Sequence, residues 1–338
     1  MEQIEQSQKI CPVCGYPRDI RGEAEFCLST GTVVGGHYQV GKVIGMGGFG
    51  ITYLGWDQKL DRKVAVKEYF PAEFATRGEK ENKLTVYPGD TKRLYYRGLE
   101  AFIREAKRLA TLLGIPQVVQ VYDCLLENET GYLVMEYLVG KTVKERLREE
   151  KRIPVPEAIQ VAAEVLDALD QIHREGILHR DIAPDNIFLS EDGKTRLLDF
   201  GSARPMIPLD RSLSVMVKPG YAPEEQYQSH GEQGPWSDVY GMGATLYRMV
   251  TGERPKPAVD RLLGDDLLPP NKKGIRMGRK AERALIKALN VKAKDRYQTA
   301  KEFREALLQA ETKKSPFGKG AWILTLLAVL LAAVRYLI

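Results

Sequence analysis

The apolar residues change period part-way along the chain, and no single sheet or single helical bundle satisfies both halves. Between His37 and Tyr137 they come as short alternating runs, Tyr38-Gln39-Val40, Ile51-Thr52-Tyr53-Leu54, Lys63-Val64-Ala65-Val66 and Gly131 to Tyr137, broken by glycine and charged turns. That is the two-residue period of antiparallel strands. One helical stretch interrupts them, with apolar residues at Leu99, Phe102, Ile103, Ala106, Leu109 and Leu113. After Gly140 the helical period takes over, at 156–174, 237–251, 279–289 and 299–311, with proline- and glycine-rich loops between. The expectation is an α+β chain of two lobes: a small antiparallel β lobe with one main helix over 38–138, and a larger α-helical lobe over 139–308. The polar, aromatic stretch 71–98 has little periodicity and reads as a long loop or small insertion.

The flanks have a different character. Residues 1–31 are turn-rich and carry Cys11, Cys14 and Cys27, and Gly31 to Gly36 read as a flexible join. Cys11-Pro12-Val13-Cys14-Gly15 has the form of a zinc-ribbon knuckle, and Cys27 to Gly31 outlines a second one with Thr30 where a fourth cysteine would stand. Three thiolates with His37 as a fourth ligand could hold Zn²⁺; the alternative is a degenerate knuckle that folds by packing. With Cys124 standing alone, the cysteines make no disulfide framework, which suits a reducing compartment. At the other end, a basic linker at 309–320 with Lys313, Lys314 and Lys319 precedes the apolar run Ala321–Ile338. As a helix that run is roughly 27 Å long, the depth of one bilayer core. A single-pass anchor in the cell membrane with the folded body in the cytoplasm is expected, and no secretory leader is read. The near-balanced charge, 50 basic against 45 acidic residues, excludes the concentrated basic face of a nucleic-acid binder.

Within the folded body the chemistry-bearing residues fall in a definite order. Gly45-Met46-Gly47-Gly48-Phe49-Gly50 fits GxGxxG, a weak signal by itself. In dinucleotide folds such glycines open a helix, but here strand continues through Ile51 to Leu54, so Gly45, Gly47 and Gly50 belong to a hairpin lid whose amides cover phosphates. Lys67 follows on the next strand. His179-Arg180-Asp181-Ile182-Ala183-Pro184-Asp185-Asn186 and, thirteen residues later, Asp199-Phe200-Gly201 are far more specific. In that arrangement Asp181 accepts or orients the proton of an attacking hydroxyl, and Asn186 and Asp199 hold Mg²⁺.

On these motifs the chain resembles the eukaryotic-like, Hanks-type bacterial serine/threonine protein kinases over residues 38–308. The resemblance implies the two-lobed kinase fold, ATP and Mg²⁺, and protein substrates, with autophosphorylation in a homodimer as an option. It implies that Glu105 holds Lys67 against the α- and β-phosphates, and that the backbone of Glu136 and Leu138, beside Met135, meets adenine. It further implies that Asp238 braces the catalytic loop, and that Arg296 pairs with Glu224 of Ala222-Pro223-Glu224 at the close of the activation segment. Arg180 before Asp181 implies control by phosphate, with Ser202, Ser212 and Ser214 as the available hydroxyls.

Two positions depart from the family pattern. Ala183 stands where serine/threonine kinases carry a lysine for the γ-phosphate, and Val217 and Lys218 occupy the stretch where they carry a threonine. We read Lys218 as reaching back to Asp181 and replacing the absent charge; the alternative is a solvent-facing lysine. Tyrosine kinases share the alanine but place arginine where this chain has Asp185. Rival readings are a nucleotide-binding pseudokinase scaffold, which Ala183 favours, a zinc-ribbon adaptor carrying the kinase fold as passenger, and a small-molecule kinase. The long segment ending in Ala222-Pro223-Glu224 favours a peptide substrate over the last.

Overall fold

The computed structural model describes residues 26–48, 50–79, 81–199, 217–228 and 231–309. Its first half is a sheet in the order β1-β2-β3-β4-β8-β7. The strands are β1 (Val33–Val34), β2 (Tyr38–Gly47), β3 (Gly50–Asp57), β4 (Arg62–Tyr69), β7 (Val121–Glu127) and β8 (Thr130–Glu136), all paired antiparallel. Val64, Val66, Tyr53, Ile51, Tyr132 and Val134 fill one buried side, as strand alternation requires. Against the opposite side, which carries Tyr69, Gly131 and Leu133, packs α1 (Asp90–Thr111), burying Phe102, Glu105, Ala106 and Leu109. Leu113, assigned to this helix from its spacing, lies past the helix end and is exposed.

Residues 71–98, expected as a loop or small insertion, hold a two-stranded hairpin, β5 (Ala75–Arg77) with β6 (Leu84–Val86), and the first nine residues of α1 from Asp90 onward. Arg77 is what makes the insertion part of the lobe: its buried guanidinium pairs with Glu68 of β4, which also accepts from the Tyr53 hydroxyl at 3.0 Å. The same guanidinium donates to the Phe26 carbonyl at 2.7 Å, and Phe26 stacks on Phe70. Leu28 is buried, with its N–H given to the Tyr53 hydroxyl at 3.1 Å. The join expected to be flexible at 31–36 therefore belongs to the sheet as β1 and its turn. Cys11 and Cys14 lie outside the described residues, as does the 321–338 run. Among the described residues no helix is long and apolar enough to cross a membrane, and no group of three or more candidate ligands gathers for a metal. His37, the suggested fourth zinc ligand, engages the Gly35 carbonyl through Nδ1 at 2.8 Å, with Nε2 4.0 Å from Asp57.

The second half opens with β9 (Gly140–Thr142) and α2 (Val143–Glu150), a helix started by reciprocal bonds between Thr142 and Glu145. It continues through α3 (Val155–Arg174), the hairpin β10 (Ile187–Ser190) and β11 (Thr195–Leu197), and α4 (Pro235–Thr251). The short α5 (Ala258–Arg261), α6 (Arg279–Ala288) and α7 (Ala300–Leu308) complete it. The four helices expected from periodicity are thus present as α3, α4, α6 and α7. The two missed, α2 and α5, are too short to show a period. Nearly every face of α4 is buried, and its glycines permit this: a Cβ on Gly243 would crowd Ala288, and one on Gly241 would lie 3.0 Å from the Ile182 carbonyl. That second contact presses α4 directly beneath the catalytic loop.

The closing ion pair differs from expectation by one residue. Arg296 binds Glu225 in fork fashion, 2.8 and 3.0 Å, and not Glu224, which meets the exposed Lys292 at 3.1 Å. The glutamate that closes the segment onto Arg296 is thus Glu225, one residue past Ala222-Pro223-Glu224. Arg296 also donates to the carbonyls of Asn290, Val291 and Trp236 and lies over the Tyr240 ring, so its buried charge is fully coordinated. Removing one partner of such a pair strands the other, at about 3–5 kcal/mol. Urea unfolding is therefore expected to show Glu225→Ala destabilised by about that amount and Glu224→Ala by clearly less, because removing the Glu224 carboxylate leaves its partner Lys292 in solvent and not stranded. Equal losses would reinstate Glu224 as the structural partner.

Candidate active site

The site is assembled on a buried carboxylate. Asp238, in the first turn of α4, accepts from the backbone N–H of His179 at 2.9 Å and of Arg180 at 2.7 Å, and from His173 Nε2 of α3 at 2.8 Å. Arg180 sits at φ 66, a conformation costly for a residue with a Cβ, which persists because Asp238 holds its N–H. Gln226 adds a bond to the Arg180 carbonyl, 2.9 Å, and Lys144 of α2 one to the Pro184 carbonyl, 2.9 Å. The loop from His179 to Asn186 is thereby clamped from three directions. His179 itself is buried, which keeps its pKa below the usual histidine value although Asp238 and Asp181 oppose this.

Asp181 and Asn186 form one unit: Asn186 Nδ2 donates to the Asp181 carbonyl at 2.7 Å and to its carboxylate at 2.9 Å. Those bonds leave the amide oxygen of Asn186 as its remaining acceptor. The Asn186 carbonyl in turn receives Leu198 N–H at 2.9 Å, which sets Asp199 beside it. Asp199 meets Lys67 Nζ of β4 at 2.5 Å. Burial works against the charge on Lys67, but Asp199, Glu105 and Asp181 outweigh it and hold the ammonium pKa above its ordinary value. Burial likewise opposes the Asp199 charge and is outweighed, chiefly by Lys67, so that carboxyl is held low. Glu105, buried on α1, thus acts on Lys67 through its field while Asp199 makes the direct contact. An amide oxygen and an ionised carboxylate, both hard donors, suit Mg²⁺.

Above this cluster β2 and β3 meet at Gly47 and Gly50, a hairpin as expected. The glycines have different reasons. A Cβ on Gly47 or Gly48 would meet nothing, and one on Gly45 only Thr52 at 3.8 Å, so the backbone there is open to a ligand. A Cβ on Gly50 would strike the Glu68 carbonyl, so this glycine serves the pairing of β3 with β4. At the end of β8, Glu136 has its N–H committed to the Gln120 carbonyl at 2.8 Å, so a base can meet it only through its carbonyl. Leu138 follows two residues on, half-buried against the core.

Residues 38–314 match the protein kinase domain family. The chain belongs to that family. Among similar curated proteins are a probable serine/threonine-protein kinase of Clostridium perfringens, 31% identical over 80% of this chain and 38% of that one, and the serine/threonine-protein kinase PknB of Mycobacterium tuberculosis, 30% identical over 86% and 45%. This kinase chain accordingly spans less than half the length of these relatives. Among solved structures it is similar to the apo form of PpkA-294, with a TM-score of 0.74 and 33% identity over 83% of this chain and 99% of that one.

In this kinase Ala183 is fully buried in the catalytic loop, and Lys218 places its ammonium 3.0 Å from Asp181 Oδ2 and 2.7 Å from Asp185 Oδ1. Sequence reasoning named Lys218, Asp181 and Asp185 but did not pair Asp185 with Lys218, and it passed over His173 and Glu225. Their signals were short: a second glutamate after Glu224, and a histidine six residues before His179 on a helix. Ser202, Ser212 and Ser214 lie outside the described residues.

Burial works against the Asp238 charge, but the hydrogen bond and charge of His173, and then those of His179, outweigh it and hold the carboxyl below its ordinary 3.8. A depressed carboxylate contributes stability that is present above the unfolded value and lost as pH falls through the folded one. Asp238→Asn is expected to be less stable than the parent in urea at pH 7 by about 1.5–3 kcal/mol, with the difference shrinking towards pH 3. A gap that widens in acid would contradict this assignment.

Proposed function

We propose that this chain transfers the γ-phosphoryl group of ATP to serine and threonine hydroxyls of proteins. The observation that carries the reading is the linked unit in which Lys67 meets Asp199, the preceding Leu198 N–H meets the Asn186 carbonyl, and the Asn186 amide meets Asp181. Its members supply, in one place, a cation for the phosphates, oxygen donors for a metal and a base for a hydroxyl. The substrate oxygen attacks the γ-phosphorus, and its proton passes to the Asp181 carboxylate. The bond from phosphorus to the β,γ-bridging oxygen breaks, and its electron pair leaves with ADP. Asn186 and Asp199 would hold Mg²⁺, whose charge offsets that of the β- and γ-phosphates. Lys67 orients the α- and β-phosphates, Glu105 supports it, the backbone at Gly45, Gly47 and Gly48 covers the phosphates, and the backbone of Glu136 and Leu138 receives the base. Serine and threonine are favoured over tyrosine because Asp185, engaged by Lys218, stands where tyrosine kinases use arginine, and because the similar proteins bear serine/threonine-kinase names.

The reading extends to a cytoplasmic kinase body tethered by Ala321–Ile338 and autophosphorylating between two copies, supported by a run apolar but for Arg335 near its far end and a tyrosine, and by the lysines before it. Zinc at Cys11, Cys14 and Cys27 is the corresponding proposal for the front of the chain, supported by the knuckle spacing and tested by zinc content that falls in Cys14→Ser.

Purified protein given radiolabelled ATP, Mg²⁺ and a generic acceptor protein is expected to yield phosphoserine and phosphothreonine, with Asp181→Asn slowed by at least about 10²-fold. ATP binding without transfer by the parent protein would replace the enzyme with a pseudokinase. In cells, cutting the chain after residue 318 is expected to move it from the membrane fraction to the soluble one.

A further inference from the structure

Attack on the γ-phosphorus loads negative charge onto its oxygens, and a preorganised cation beside the reacting oxygen is the strongest single aid an active site can offer. The catalytic loop provides none at position 183, where a fully buried alanine stands. Resting on the kinase reading above, we propose that Lys218 is the catalytic cation for the γ-phosphate, and that its location on the activation segment makes the site electrostatically complete only when that segment is seated.

Three observations converge on this. The first is position: the Lys218 ammonium lies 3.0 Å from the carboxylate of Asp181, the group that takes the hydroxyl proton, so it stands beside the reacting centre. The Lys218 charge also contributes to the low pKa of Asp199 and of His179, after larger causes in each case, so its field reaches across the centre.

The second is preorganisation. Lys218-Pro219-Gly220-Tyr221 is a turn closed by Tyr221 N–H on the Lys218 carbonyl at 3.0 Å, and Ala222 N–H adds a bond at 3.1 Å. Proline at the second position and Gly220 at φ 87 in the third are what a type II turn demands. A Cβ on Gly220 would come within 2.5 Å of the Pro255 carbonyl, so the turn is pressed onto the helical lobe and fixes where the Lys218 backbone starts.

The third is linkage. The segment bearing Lys218 is held to the lobe by Gln226 on the Arg180 carbonyl and by Glu225 on Arg296 and Ser237. A cation mounted on the catalytic loop would be in place whatever the activation segment did. One mounted at residue 218 arrives only with the segment, so substrate-site order and catalytic charge are gained together.

The competing role is a mere latch, in which Lys218 ties the segment to Asp181 and Asp185. Charge at the transition state and latching respond differently to substitution. Asp185 is also approached by Lys144 at 3.7 Å, so removing Lys218 does not strand that carboxylate. The experiment uses the full chain and compares the parent with Lys218→Met, Lys218→Ala and the double variant Ala183→Lys with Lys218→Met. Expected is a loss in kcat of about 10²–10³-fold for Lys218→Met, with affinity for ADP and Mg²⁺ unchanged within about twofold. Affinity for ADP with aluminium fluoride, a mimic of the transferring group, should fall by about 10²-fold. Ethylammonium in the buffer should raise Lys218→Ala turnover by at least about tenfold. Ala183→Lys should do the same for Lys218→Met if it folds, as judged by ADP binding, and ethylammonium rescue alone decides the matter if it does not. Turnover of Lys218→Met within about threefold of the parent overturns the proposal, as does a loss that appears only in the KM for the acceptor protein and resists ethylammonium. Absence of transfer by the parent itself, with ADP still bound, overturns the kinase reading and this inference with it.

Discussion

Burying Asp238 under the catalytic loop is the constraint on which the site depends. A carboxylate that deep is tolerable only if its oxygens are satisfied, and here the donors are two successive backbone N–H groups of the loop and a ring nitrogen from α3. Satisfying the charge therefore dictates the path of His179 and Arg180, including the left-handed backbone at Arg180. That path aims Asp181 at Asn186, and the Asn186 carbonyl positions Leu198 and so Asp199. The order in which these bonds depend on one another runs from the helical core outward to the chemistry. The glycines of α4 belong to the same arrangement, since only a residue without a side chain lets α4 approach the loop as closely as Gly241 does.

A second buried pair, Glu225 with Arg296, does for the activation segment what Asp238 does for the catalytic loop. Arg296 spends its donors on one carboxylate and three carbonyls, so the helical lobe offers a site that only a fork-shaped anion fills. The segment ending at Glu225 is thus secured close to its turn at Pro219-Gly220, and Lys218 is a short step from both. In the strand lobe a third pair, Glu68 with Arg77, joins β4 to the β5–β6 hairpin and to Phe26. Because Glu68 neighbours Lys67 on the same strand, the hairpin and the N-terminal segment brace the element that carries the phosphate-facing lysine. Each lobe therefore fixes its working residues through a buried, fully coordinated charge placed one shell behind them.

What the sequence determined by itself was periodic or tightly spaced. Strand alternation up to Tyr137 and helical spacing after Gly140 gave two lobes, because burying one face imposes its period on the chain whatever the partner. The glycine loop, Lys67, the run from His179 to Asn186 and Asp199 were legible because phosphoryl transfer needs those groups in that order. Tertiary structure decided matters of partnership, which no local pattern encodes. Two adjacent glutamates are equivalent as text, and only the wall presented by Asn290, Val291 and Trp236 around Arg296 selects Glu225 over Glu224. Gly50 reads as a phosphate-loop glycine but is required by the Glu68 carbonyl across the sheet. The hairpin in 71–98 was illegible because three-residue strands have no measurable period and are stabilised by Arg77 reaching Glu68 and Phe26. For Lys218 the sequence supplied an absence at Ala183 and a spare charge thirty-five residues on; the turn at Pro219-Gly220, held against Pro255, is what brings that charge to Asp181.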